Sequence, residues 1–316
     1  MRFSVGRRIG RRRLVSRPGR RVLALALAVA TVVATGLVLA KPATAIAGLQ
    51  RISKSFASDS TPFRSGLIDC PEGTRGIGGS IDIVGNTQLR IHAIRPFRAR
   101  VYFAVTEPEE GVAAAWSFNA VAICAPTTSL PGLQYVTDTQ RANVLARGEP
   151  VNVQAVARCV GRTGTIGIGA QISALDTDRG VNPTTKVRLN SLKTSGTPRG
   201  AGDLAGGSIT AAGFEGWVEV TAVAICVSFD QVPNLGWMQT ALPFDSTDDK
   251  QARVACPTGT TLHGGGFLIN WRNPDHAGAH VGITDLEFGA DVAVVARESI
   301  AGTPVAWSLY AIIICA

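Results

Sequence analysis

The sequence predicts an all-β protein of three tandem, disulfide-closed, β-sandwich-like repeats, with one pseudo-threefold β-prism as the alternative packing. Three observations carry this expectation. One motif occurs three times, with two cysteines in each copy, so self-similarity governs the reading. The chain after residue 47 is rich in Gly, Thr and Val, in short runs bounded by Gly, Pro, Asn and Asp. The closing run of each copy alternates. Trp116, Phe118, Ala120, Ala122 and Cys124 fall on one strand face, as do Trp307, Leu309, Ala311, Ile313 and Cys315.

The chain begins with a leader. Residues 1–21 hold nine arginines and no acid, and Val22 to Ala40 is uncharged. Ala43-Thr44-Ala45 and Ala45-Ile46-Ala47 then supply overlapping A-x-A exits. This is the layout of a secretory signal peptide, assigned to 1–47 with cleavage after Ala45 or Ala47. Left uncleaved, the apolar run is nearly long enough to anchor the chain, and a membrane is expected as a partner only in that case. Arg11-Arg12-Arg13-Leu14-Val15 also fits a twin-arginine signal, so the export route stays open.

Removing the leader changes the charge argument. The whole chain carries 31 basic and 23 acidic residues, formally +8. Residues 48–316 hold 21 bases and 23 acids, a net of −2. No basic stripe survives, which argues against a nucleic-acid partner.

Repeat 1 is expected over 48–130, repeat 2 over 131–232 and repeat 3 over 233–316, punctuated by Pro131-Gly132 and Pro233-Asn234. Copy one reads Cys70-Pro71-Glu72-Gly73-Thr74, then Gly78-Gly79, and closes Trp116 to Cys124. Copy three reads Cys256-Pro257-Thr258-Gly259-Thr260, then Gly264-Gly265-Gly266, and closes Trp307 to Cys315. Copy two is looser, with Cys159, Gly167, Gly169 and a close from Trp217 to Cys226. Its extra residue between Trp and Cys puts Trp217 on the opposite face unless a bulge restores the register. Five or six strands per repeat follow. The only helix the pattern allows beyond the leader is one short turn within 138–147.

Six cysteines admit fifteen pairings, and the triplication selects one per repeat: Cys70–Cys124, Cys159–Cys226 and Cys256–Cys315. Buried free thiols are the alternative. Zinc is disfavoured because no copy has a C-x-x-C pair. Each bridge would close a loop of more than 50 residues, worth about 4 kcal/mol on chain entropy.

The pattern Cys-Pro-x-Gly-x-x-x-x-Gly-Gly-Gly, with a closing Trp and Ala-x-x-x-Cys, resembles tandem repeats of secreted actinobacterial proteins. Trp237 to Ala316 carries the fullest match, and copy two lacks the proline and the contiguous glycines. The resemblance spans nearly all of the chain after the leader. It implies an exported all-β protein and brings no catalytic residues. The triplication and cysteines also resemble the three-repeat vitelline membrane outer layer proteins, from which no function is carried.

Other motifs dissolve into the repeat. His263-Gly264-Gly265-Gly266 imitates an esterase oxyanion loop, but no Gly-x-Ser-x-Gly exists, and His263 occupies the position of Ile77 and Ile166. Gly164, Gly167 and Gly169 lack the third glycine of a dinucleotide fingerprint. Asp275, His276 and His280 lie between Asn273-Pro274 and loop glycines rather than on a helix. Asp176, Asp178 and Gly180 lack the distal Glu of a calcium loop. Trp116, Trp217 and Trp307 belong to the repeat and read as core. Trp271 does not; it sits in Asn270-Trp271-Arg272, a polar setting suited to stacking on a sugar face.

The expectation is therefore a secreted binding or structural protein associated with the cell surface, with Trp271, Asn270 and Arg272 as the candidate ligand contacts. Its expected partner is a cell-envelope glycan or matrix. No catalytic set, metal site or cofactor is predicted. The alternative is a secreted glycan hydrolase, since carboxylates distant in sequence can meet in space.

Overall fold

The computed structural model describes residues 46–85, 88–108, 111–112, 114–145, 150–176, 183–195, 204–211, 213–272, 281–299, 302–303 and 305–316. Repeat 1 forms β1 (Gln50–Asp59), β2 (Phe63–Asp69), β3 (Thr74–Val84), β4 (Arg90–Phe97), β5 (Arg100–Thr106) and β6 (Trp116–Pro126). Repeat 2 forms β7 (Gln134–Val144), β8 (Val151–Arg158), β9 (Thr163–Asp176), β10 (Val187–Ser195), β11 (Leu204–Ala211) and β12 (Gly216–Ser228). Repeat 3 forms β13 (Gly236–Ala241), β14 (Asp249–Ala255), β15 (Leu262–Trp271), β16 (Val281–Phe288), β17 (Asp291–Glu298) and β18 (Trp307–Cys315). A single 3-10 turn, Pro183–Lys186, is the only helical element among the described residues. The helical turn anticipated within 138–147 is not formed. Residues 138–144 belong to β7, which pairs with β12 along its whole length, and that ladder outweighs local propensity.

The chain follows one path three times. In each repeat the first, third and sixth strands lie in one sheet, and the second, fourth and fifth in another. The two halves face each other and enclose apolar residues, which is the sandwich-like character expected. The halves do not stop at the repeat boundary, however. Each six-stranded sheet joins halves of two repeats: β1-β6-β3-β16-β17-β14, β2-β5-β4-β9-β12-β7 and β13-β18-β15-β10-β11-β8. The three repeats thus close a ring, which is the prism arrangement rather than three separate sandwiches. A lone three-stranded half would leave the inner edge of β3 or β4 with unpaired N–H and C=O groups, and the neighbouring repeat supplies the partner.

The disulfides pair as the triplication selects: Cys70–Cys124, Cys159–Cys226 and Cys256–Cys315, with Cα–Cα distances of 5.7, 5.6 and 5.8 Å. Each first cysteine follows the second strand of its repeat and each partner lies in or at the end of the sixth, so every bridge ties the two layers together. Three such bridges and no free cysteine mark an oxidising environment.

The repeated glycines have two physical causes. Gly73 and Gly259 turn the chain after Pro71 and Pro257 with φ of 75° and 85°, a conformation that a side chain opposes. Gly167 and Gly266 instead permit contact between backbones. A Cβ there would lie 1.8 Å from the Ile77 carbonyl and 2.0 Å from the Leu192 carbonyl. Strands β3, β9 and β15 converge at the centre of the ring, where Ile77, Ile166 and His263 are fully buried. Each of these three is the extra residue of a bulge, between Gly76 and Gly78, Thr165 and Gly167, and Leu262 and Gly264.

Trp116 and Trp307 are buried in the core, at 1% and 0% exposure. Trp217 is not. No bulge absorbs the extra residue, Val218 takes the inward position, and the half-buried indole lies on the outer face under the Arg141 guanidinium, 4.0 Å from the ring centroid.

Candidate functional site

The sheets are weakest where repeats meet. The seam pairs are Ala93 with Gln171 and Ile94 with Ala170, Ser191 with Leu268 and Leu192 with Phe267, and Leu286 with Ile81. Just before each seam pair the strand bulges, and the extra residue is polar and buried: His92, Asn190 or Thr284.

The three seams satisfy that polar residue differently. His92 meets the Phe63 ring edge-on at 5.3 Å, and burial pushes its pKa down to about 4 despite the Ile172 backbone acceptor. The Thr284 hydroxyl lies within reach of Asp285 Oδ2 and the Val295 carbonyl. Asp285 Oδ1 accepts from the Ile83 N–H at 2.9 Å, and burial, with Asp82 nearby, raises its pKa.

At the third seam the polar residues line a groove of about 470 Å³. Strands β8, β10 and β11 of repeat 2 contribute Asn152, Gln154, Asn190 and Ser208, and β15 of repeat 3 contributes Asn270 and Trp271. Asn190 Nδ2 donates to Thr210 Oγ1 at 2.5 Å, and that hydroxyl donates to Asn152 Oδ1 at 2.6 Å. In this arrangement the Thr210 hydroxyl gives its proton to Asn152 and accepts from the Asn190 amide nitrogen. Asn190 Oδ1 is thereby left buried without a hydrogen-bond partner, and so is Trp271 Nε1. Among the described residues, no charged side chain lines the groove.

Of the residues expected from sequence, Asn270 and Trp271 line the groove. Trp271 is only 9% exposed, so it borders the groove rather than standing out as a platform. The β15–β18 register places it opposite Trp307, which explains the burial. Arg272 is exposed past the strand end and does not line the groove. Asn152, Gln154, Asn190 and Ser208 carried no motif. The available signal was positional, since His92, Asn190 and Thr284 each follow an aliphatic residue at one place in the repeat.

His263 belongs to the central core. Burial lowers its pKa to about 4, partly offset by the Ala316 backbone. Asp275, His276, His280, Asp178 and Gly180 lie outside the described residues. Among the described residues, no group of three or more His, Cys, Asp or Glu side chains is placed to hold a metal. The chain matches no protein-family model and no curated protein sequence.

Proposed function

We propose that the protein is a secreted, non-enzymatic binding protein that holds a neutral glycan of the cell envelope or matrix in the groove at the seam of repeats 2 and 3. One observation carries the reading. Asn190 and Trp271 both line the groove, and each carries a buried polar atom without a partner, the Oδ1 acceptor and the Nε1 donor. Leaving such groups unmet costs about 1–3 kcal/mol each. A sugar hydroxyl both donates and accepts, so polyhydroxylated ligands match the pair. The described lining of Asn, Gln and Ser side chains favours neutral sugars over ions. The described lining residues include no carboxylate of the kind a glycosidase uses in a pair.

The test is sedimentation of the oxidised protein with cell walls and insoluble polysaccharides, with released sugars assayed alongside. Saturable retention without release is expected. Trp271→Phe keeps an aromatic ring but removes the N–H, and Asn190→Leu removes the acceptor; each should weaken retention several-fold. Release of sugars, absence of retention, or full retention by both variants would overturn the reading.

A further inference from the structure

A second concavity, of about 760 Å³, lies where the first strand of repeat 2 meets the β4–β5 hairpin of repeat 1. Arg75, Phe97, Arg98, Leu133, Gln134 and Tyr135 are among its lining residues. Its backbone holds an anomaly. Phe97 pairs with Arg100, so Arg98 and Ala99 form a two-residue hairpin loop, and Arg98 has φ of 50°. It is the only non-glycine residue with positive φ among the described residues. Hairpin loops that need such a φ normally use Gly or Asn, because a long side chain is strained there.

The surroundings hold that strained turn in place. The Arg98 carbonyl accepts from the Gly76 N–H at 2.9 Å. The Tyr135 hydroxyl lies 2.9 Å from the same carbonyl and 2.8 Å from the Gly76 carbonyl. A residue kept at a position that glycine would fill without strain points to a use for its side chain. Arg75 lines the same space, its Nη1 donating to the Leu133 carbonyl at 3.4 Å. Neither guanidinium has a carboxylate within ion-pair distance among the described residues, whereas nearby Arg100 pairs with Asp69 at 2.6 Å. The corresponding hairpin of repeat 3 opens with Gly289 and carries Asp291, which pairs with Arg253. The cationic display is therefore not imposed by the repeat. Nor does it follow from composition, since residues 48–316 are net negative.

We infer that this concavity is an anion-binding site for the oxyanion of a carboxylated or phosphorylated sugar unit. Arg98 and Arg75 receive the charge, Gln134 is placed to meet a sugar hydroxyl, and Phe97 and Leu133 form the apolar wall. The inference is independent of the neutral groove at the other seam.

Calorimetric titration of the oxidised protein at low ionic strength tests it, with galacturonate, glucose 1-phosphate, inorganic phosphate and neutral glucose as probes. At least one anion should bind saturably, glucose should not bind at this site, and added salt should weaken binding. Arg98→Gly should lose at least tenfold in affinity while its thermal midpoint holds or rises, because glycine relaxes the turn. That combination separates loss of the site from loss of the fold. Arg75→Gln should weaken binding as well. Binding of galacturonate alone identifies a carboxylated unit, binding of the phosphates alone a phosphorylated one, and both together support the shared oxyanion chemistry. No anion binding up to about 50 mM, or wild-type anion affinity in Arg98→Gly, overturns the inference.

Discussion

The indole N–H of Trp307 donates to Oε1 of Glu298 at 2.7 Å, and Oε2 of the same carboxylate accepts the Thr303 N–H at 2.7 Å. Repeat 1 builds the same pair: Trp116 donates to Glu107 at 2.8 Å, and Val112 N–H to its other oxygen at 3.2 Å. Above each indole lies a cation, Lys250 at 4.5 Å and Arg64 at 5.1 Å from the ring centroid. Replacing Glu298 by Leu would orphan the buried Trp307 indole N–H and the half-buried Thr303 N–H, while Lys250 keeps its pairing with Asp245. A loss of about 2–4 kcal/mol is expected in urea unfolding. Glu298→Gln retains one of the two acceptors and should cost less than the Leu variant; equal costs would show that both carboxylate oxygens are needed.

The three closing tryptophans are not equivalent, although the repeat aligns them. Trp307→Ala empties a fully buried site and should cost about 4 kcal/mol. Trp217→Ala removes a half-buried ring and its contact with Arg141, and should cost no more than about 1.5 kcal/mol. Similar midpoints for the two variants in a denaturant series would contradict the register shift in β12.

The glycines of the motif divide by what surrounds them. Gly167→Ala would drive a methyl group to 1.8 Å from the Ile77 carbonyl, forcing β3 and β9 apart, and should prevent stable folding or cost upwards of about 3 kcal/mol. Gly78→Ala meets its nearest atom at 3.7 Å, an ordinary contact, and should express and fold. Thermal midpoints of the two proteins decide the point, and a tolerated Gly167→Ala would mean that the centre of the ring is looser than described.

Acid sensitivity should centre on two buried histidines. His263 and His92 have folded pKa values near 4 against 6.5 for the free side chain, in both cases chiefly through burial. Between these values the unfolded chain binds the proton and the folded protein does not, so stability falls as pH drops from about 6.5 to 4 and levels off below. The loss is about 3 kcal/mol per histidine. Asp285 and Glu287 act with opposite sign, because their folded pKa values are raised, chiefly by burial. His263→Ile installs the residue type of Ile77 and Ile166 at the equivalent position. It should remove its share of the pH 4–6.5 slope in chemical denaturation and leave the His92 share. An unchanged slope would exclude His263 as a source.

Much of the fold was readable because it is local and repeated. Alternation from Trp116 to Cys124 reported a strand, Pro71-Glu72-Gly73 reported its turn, and triplication reported the disulfide pairing. Trp271 and Asn270 stood out because their polar setting departs from the repeat. Asn190 and Asn152 did not, since a polar residue on a strand looks the same whether it faces bulk water or a groove. Arg98 gave no signal either, because a positive φ is a property of the hairpin that pairs Phe97 with Arg100.

By itself the sequence determined the strand class, the three-copy organisation and the covalent bridges, because alternation, turn chemistry and repetition are written in neighbouring residues. Only the tertiary structure decided that the repeats share sheets, that Gly167 and Gly266 mark backbone contacts between strands, and that Asn190 and Trp271 border one groove. Those outcomes depend on which edges find partners across 75 or more residues of chain, and that is fixed by satisfying backbone hydrogen bonds and filling space over the whole ring.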